Sequence, residues 1–142
     1  QGLVHRDIKP SNVMVRGDDP PQAVLMDFGI AKIKDAATRY TGSGAIGTID
    51  YMAPEQIMAA KEVDKHADIY AVGVMAYEML TGEKPFKGGA AQVMFAHLQQ
   101  PAPDARDVAS DVPKSAAQAI ERALAKDPTA RYDSAGDFAA AL

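Results

Sequence analysis

From Asp64 or Lys65 to Gly82 the sequence reads as one long helix, and Ile69, Val72, Val74, Met75, Tyr77, Met79 and Leu80 leave almost no side of it polar. A helix that is apolar nearly all round has no face to give to water and is expected to be buried. Gly82, following Thr81, is the expected C-cap, since glycine accepts the left-handed conformation at little cost. The longest apolar run, residues 69–77, is nine residues long. A membrane span needs about 20, so this helix reads as core.

Other elements follow from local chemistry. Strand-like runs at residues 13–15 and 23–26 flank Gly17-Asp18-Asp19-Pro20-Pro21, which reads as a hairpin. Residues 30–50 have no apolar period and are rich in Ser, Thr and Gly, so a long loop is expected there. Pro54 suits the first turn of a helix continuing into Glu55-Gln56-Ile57-Met58. A helix is expected over residues 90–99, stopped by Pro101 and Pro103. Another is expected over residues 113–126, capped by Asp111, with Ala116, Ile120, Ala123 and Leu124 on one stripe. Asp133 or Ser134 caps a last helix carrying Phe138 and Leu142. The fold class expected is mainly α with a short β-hairpin, and there is no internal repeat.

Composition narrows the function classes. The 142 residues carry 15 Lys+Arg against 19 Asp+Glu, a net charge of −4, which argues against a phosphate-neutralising nucleic-acid binder. At 47% hydrophobic the chain is too apolar for intrinsic disorder, although 27 of those residues are alanine. The absence of cysteine excludes disulfides and thiolate metal sites and fits a reducing compartment. Residues 1–4 show no signal-peptide pattern.

Three motifs carry the chemistry. His5-Arg6-Asp7-Ile8-Lys9-Pro10-Ser11-Asn12 is a dense polar cluster, Asp27-Phe28-Gly29 closes the second strand-like run, and Met52-Ala53-Pro54-Glu55 ends the long loop. Alone, Asp7 and Asn12 read as turn formers that bond their own backbone. Together and in this order, the motifs resemble the catalytic loop, metal-binding triplet and activation-segment end of protein kinases. The resemblance implies a large (C-terminal) kinase lobe, incomplete. Residues 1–29 would hold the catalytic loop and metal triplet, residues 27–55 the activation segment, and residues 56–142 a helical subdomain.

The resemblance also implies roles. Asp7 would be the catalytic base, Lys9 would reach the transferring phosphate, and Thr48 would lie near both. Asn12 and Asp27 would ligate Mg²⁺, a hard cation that takes few carboxylates plus the phosphate oxygens of ATP. Met14 would line the adenine site, with Met75 and Met79 supporting it, although core packing explains methionines equally well. Lys9, and Gly47-Thr48 ahead of Tyr51, mark the serine/threonine type. Protein substrates bearing Ser or Thr are therefore the expected partners. Arg6 would belong to a pocket for an activation-loop phosphate, with Thr41, Ser43 and Thr38 as acceptors. Asp68 is expected to bond the catalytic-loop backbone, and Glu55 and Arg131 to form a buried ion pair. His5 and Phe28 are expected in the hydrophobic spine.

Some features read as uninvolved. Gly42-Ser43-Gly44-Ala45-Ile46-Gly47 satisfies G-x-G-x-x-G, yet no strand is expected before it and no helix directly after, so it reads as loop. His66 and His97 have no carboxylate or second histidine at ligand spacing. Finally, the sequence contains no glycine loop and no Val-Ala-Ile-Lys-type lysine, so the ATP-binding N-terminal lobe is expected to be absent. The isolated chain is therefore expected to be inactive and prone to self-association. Thr81-Gly82-Glu83-Lys84-Pro85-Phe86 and Leu124-Ala125-Lys126-Asp127-Pro128 look most like bacterial kinases, cytoplasmic and often tethered by a span elsewhere in the protein. The alternative is a non-catalytic binding module of pseudokinase or truncated-lobe type, although such proteins tend to lose one of Asp7, Lys9, Asn12 or Asp27.

Overall fold

The computed structural model describes residues 3–27, 46–58 and 63–142. A 3₁₀ turn at Pro10–Asn12 leads into strands β1 (Val13–Arg16) and β2 (Gln22–Leu25). Seven helices follow among the described residues: α1 (Ile46–Ile49), α2 (Pro54–Ile57), α3 (Lys65–Thr81), α4 (Ala90–Gln99), α5 (Ala105–Val108), α6 (Lys114–Ala123) and α7 (Ala135–Ala141). A 3₁₀ turn at Pro128–Ala130 separates the last two.

Helix α3 is the axle. The side chain of Asp64 caps it by accepting from the His66 N–H, and Gly82 ends it at φ 74°, its N–H donating to the Glu78 carbonyl. Ala67, Ile69, Tyr70, Ala71, Val74 and Tyr77 are buried against the helices around it. Its contact with α6 is close because Gly73 has no side chain. A Cβ there would lie 2.9 Å from Ala123 Cβ and 3.3 Å from a Leu124 methyl carbon. The all-round burial expected for this helix fails at its C-terminal end, where Met79 is 80% exposed and Leu80 is also open to solvent. Met75 packs against the core. Met79 is thus left uncovered by the described residues.

Around α3 the sequence reading needs several corrections. Helix α6 begins at Lys114 with Pro113 at its N-cap, so Asp111 does not cap it. It ends at Ala123, three residues before Lys126, although Leu124 is still buried. Ser134, not Asp133, caps α7, accepting from the Asp137 N–H. Phe138 is buried there, but Leu142 is 45% exposed. Helix α5 was not expected. Asp104 caps it by accepting from the Arg106 N–H, a signal visible in sequence but hidden by the prolines on either side. Helix α1 also falls within residues 30–50, where only loop was expected.

The hairpin pairs β1 and β2 antiparallel, with Val13 opposite Leu25 and Arg16 opposite Gln22. Met14, Val15, Gln22 and Ala23 are exposed, so this two-stranded sheet contributes little core. Two strands alone bury too little to be independently stable.

Candidate functional site

The loop before β1 is held by α3. Asp68, in the first turn of α3, accepts from the backbone N–H of His5 at 2.7 Å and of Arg6 at 2.8 Å, one carboxylate oxygen each. The buried His5 ring continues the anchorage. Its Nδ1 accepts from the Asp7 N–H at 3.3 Å, which leaves the proton on Nε2 to be donated to the Met26 carbonyl at 3.0 Å. His5 is thus a hydrogen-bonded bridge between the loop and the end of β2, more than the packing residue expected. The Met26 N–H in turn donates to the Asn12 carbonyl at 2.8 Å. Arg6 and Asp27 both sit at positive φ, 63° and 52°. That conformation is uncommon for side chains other than glycine, and functional segments are where it concentrates.

Four of the predicted residues, Asp7, Lys9, Asn12 and Thr48, come together. Asp7 is buried, and its Oδ1 lies 3.3 Å from Lys9 Nζ. Lys9 Nζ also donates to Thr48 Oγ1 at 2.9 Å. The Asn12 amide donates to the Asp7 carbonyl at 2.7 Å and to Asp7 Oδ2 at 3.0 Å. Spending its NH₂ this way leaves the Asn12 carbonyl oxygen as the end suited to a hard cation. Asp27 is exposed at the end of β2, and Met14 is exposed on β1. A carboxylate and a hydroxyl that share one ammonium form a site whose carboxylate can accept a proton from an alcohol and whose ammonium can neutralise a polyanion beside it.

The Thr48 segment is tied down on its far side by residues that sequence reasoning did not single out. The Tyr51 hydroxyl donates to Glu78 Oε2 at 2.5 Å, and burial together with that carboxylate pushes the phenol pKa up. Asp50 Oδ2 meets Lys84 Nζ at 2.5 Å. Gln56 donates to the Arg6 carbonyl at 2.9 Å and, from the same side chain, accepts from the Ala53 N–H. Only the i to i+3 spacing of Ala53 and Gln56 was a sequence signal. Arg6, apart from its backbone roles, donates from Nη2 to the Val63 carbonyl at 3.0 Å while remaining exposed.

Glu55 and Arg131 form a bidentate pair at 2.7 and 3.0 Å, with the Arg131 side chain fully buried. His97, read as uninvolved, is 1% exposed. Its Nδ1 meets the Tyr70 hydroxyl at 2.8 Å and its ring stands edge-on to Phe86. Burial first, and the Lys126 ammonium second, push its pKa down to about 4. The Asp50 backbone opposes this, although no hydrogen bond closes at Nε2. His66 does have a carboxylate partner, Asp64, at 2.9 Å. That contact joins two neighbours at the start of α3, where Asp64 also accepts from the His66 N–H.

Phe28, Thr38, Thr41 and Ser43 lie outside the described residues, as does most of the G-x-G-x-x-G stretch. Its last glycine, Gly47, falls inside α1, so a helical turn does open at the end of that stretch. Four residues of helix offer no phosphate cradle of the kind the pattern serves elsewhere.

Comparisons with known proteins agree with this geometry. Residues 1–138 match the family described as "Protein kinase domain". The chain is 44% identical over 146 residues to serine/threonine-protein kinase Pkn1 of Myxococcus xanthus, covering 100% of the chain and 21% of that relative. It is 39% identical to serine/threonine-protein kinase PknA of Mycobacterium tuberculosis (strain ATCC 25177 / H37Ra), covering 99% of the chain and 32% of the relative. For serine/threonine-protein kinase PknJ of Mycobacterium bovis the identity is 40%, over 98% of the chain and 24% of the relative. The chain thus spans between about a fifth and a third of the length of these relatives. With its motifs in family order on a mainly helical fold with one short hairpin, this chain belongs to the protein kinase family and is of the bacterial serine/threonine type.

Proposed function

We propose that the protein bearing these residues is a serine/threonine protein kinase, converting ATP and a protein hydroxyl into ADP and a phosphoprotein. The observation that carries this reading is the Asp7–Lys9–Thr48 contact chain, with Asn12 bonded to Asp7 from behind. Asp7 orients the substrate hydroxyl and takes its proton. Lys9, held by Thr48, stands where negative charge builds on the transferred group. The Asn12 carbonyl oxygen and the Asp27 carboxylate are the hard donors that would hold Mg²⁺. When bound with ATP, Mg²⁺ supplies charge neutralisation at the phosphates. Met14 would meet the adenine. Asn12 keeps both its metal-facing oxygen and the Asp7 carboxylate in place, because its amide protons are committed to Asp7.

Arg6 would receive the regulatory phosphate on Thr41, Ser43 or Thr38. Its exposed guanidinium and its strained backbone, fixed by Asp68 and Gln56, support that part of the reading. The exposed Leu3, Val15, Met58 and Met79 support self-association of these 142 residues when isolated, and a sedimentation run giving only monomer at high concentration would reject it. No helix among the described residues is long and apolar enough to cross a membrane. A cytoplasmic domain, tethered by a segment elsewhere, fits this reading.

The test is phosphate transfer from labelled ATP with Mg²⁺ to a generic basic protein, using the full-length protein, its Asp7→Asn variant and the 142 residues alone. Asp7→Asn is expected to lower turnover by about 10²–10⁴, and the isolated 142 residues are expected to transfer nothing. Wild-type turnover in Asp7→Asn would remove Asp7 from the role of base.

A further inference from the structure

The short helix that presents Thr48 cannot hold its own position. Four residues make one turn, below the length at which a helix is stable by itself. After it, among the described residues, the backbone closes two turn bonds, from the Tyr51 N–H to the Thr48 carbonyl at 3.3 Å and from the Met52 N–H to the Ile49 carbonyl at 3.1 Å. Its placement therefore comes from side chains. On one side Thr48 accepts from Lys9. On the other, Asp50 is seized at 2.5 Å by Lys84, whose ammonium also lies 5.6 Å from the Tyr51 ring centroid.

Lys84 is well placed to act as a fixed post. It stands two residues beyond Gly82, whose left-handed turn closes the C-terminus of α3, and directly before the buried Pro85 and Phe86. The side chain of Asp50 is 14% exposed and that of Lys84 is 35%, so the pair is partly shielded from water and salt. We propose that Lys84 is a positioning residue for the phosphotransfer site. Through Asp50 it sets where α1 presents the Thr48 hydroxyl to Lys9, and so where the acceptor protein meets Asp7. This rests on the kinase reading above.

Two readouts in the full-length protein separate the proposal from that reading. In Lys84→Met, hydrogen exchange at the Tyr51 and Met52 amides is expected to accelerate about tenfold while amides of α3 and α6 keep their rates. The KM for the protein substrate is expected to rise about fivefold, with the KM for ATP unchanged, and Lys84→Arg is expected to restore both readouts because it keeps the charge. Unchanged exchange at Tyr51 and Met52 overturns the positioning role whatever the kinetics do. Faster exchange accompanied by equal rises in both KM values overturns the link to substrate placement. If the wild-type protein phosphorylates nothing, the kinase reading fails by itself, and the exchange measurement still decides whether Lys84 holds the segment.

Discussion

In residues 65–142 the buried side chains are mostly apolar, among them Tyr70, Tyr77, Ile120, Leu124 and Phe138, whereas in residues 3–27 the buried side chains are His5, Asp7 and Asn12. The helical region is therefore held mainly by removal of apolar surface from water, which is strong and indifferent to direction. The loop of residues 5–12 and its hairpin bury no apolar side chain fully, Ile8 being only partly buried against the core. They are held by directed bonds, chiefly the two from the loop backbone to Asp68 and the His5 bridge to Met26. A site that must fix a carboxylate, an ammonium and an amide within about 0.5 Å of working geometry benefits from directed bonds. The order of this loop is thus borrowed from α3, and the comparison teaches that the site is only as rigid as the helix to which it is tied.

The contrast can be broken from the helical side first. Arg131 is one polar exception in that core, and removing it in Arg131→Met leaves Glu55 buried without its partner. A loss of about 3–5 kcal/mol is expected in urea unfolding. Arg131→Lys is expected to recover little, since one ammonium cannot replace the two-pronged guanidinium. A change below about 1 kcal/mol in Arg131→Met would show that apolar burial alone holds the helices.

A second exception, His97, sharpens the comparison through pH. Its native pKa, about 4, lies below the ordinary 6.5, so the folded state keeps it neutral while the unfolded chain takes a proton. Stability is then lost as pH falls from 6.5 towards 4, by roughly 3 kcal/mol in all. His97→Asn, which keeps a polar atom near Tyr70, is expected to flatten this limb of a stability–pH profile. An unchanged slope would assign the limb to other groups.

The smallest expected effect is the most local. Asp68→Ala removes both acceptors for the His5 and Arg6 amides, at a cost of about 1–3 kcal/mol. That cost should fall on the loop and hairpin alone. Hydrogen exchange should therefore rise over residues 3–27 while α6 and α7 are unaffected. Exchange rising equally in α6 would mean the two regions unfold as one.

Legibility in the sequence followed the same division. The bounds of α3 and α4 could be read from a long apolar stretch closed by Gly82 and from the stop at Pro101 and Pro103, because caps and breakers are local signals. Asp7, Lys9, Asn12 and Thr48 could be picked out because their spacing matched a family motif. The pattern failed where polar or short-range effects decide. Asp111 looked like a cap, but Pro113 starts α6 with its own fixed backbone angle. Met79 and Leu80 continue an apolar run without being covered, since periodicity cannot report what lies alongside a helix. The Asp50–Lys84 and Tyr51–Glu78 contacts join residues 34 and 27 positions apart, and no local rule links them.

Arg131 also has a consequence for the order in which the protein is made. Its guanidinium donates five hydrogen bonds: two to Glu55 and one each to the carbonyls of His66, Ala125 and Lys126. A ribosome delivers Glu55 76 residues before the group that neutralises it. Until then the carboxylate must stay in water, and α2 cannot dock in its final place without burying an unpaired charge. The helices of this region can form as they emerge, but their last closure waits on one residue near the end of the segment. Nascent chains stalled short of residue 131 should therefore remain open to proteases at α2, and those stalled far enough beyond it should not.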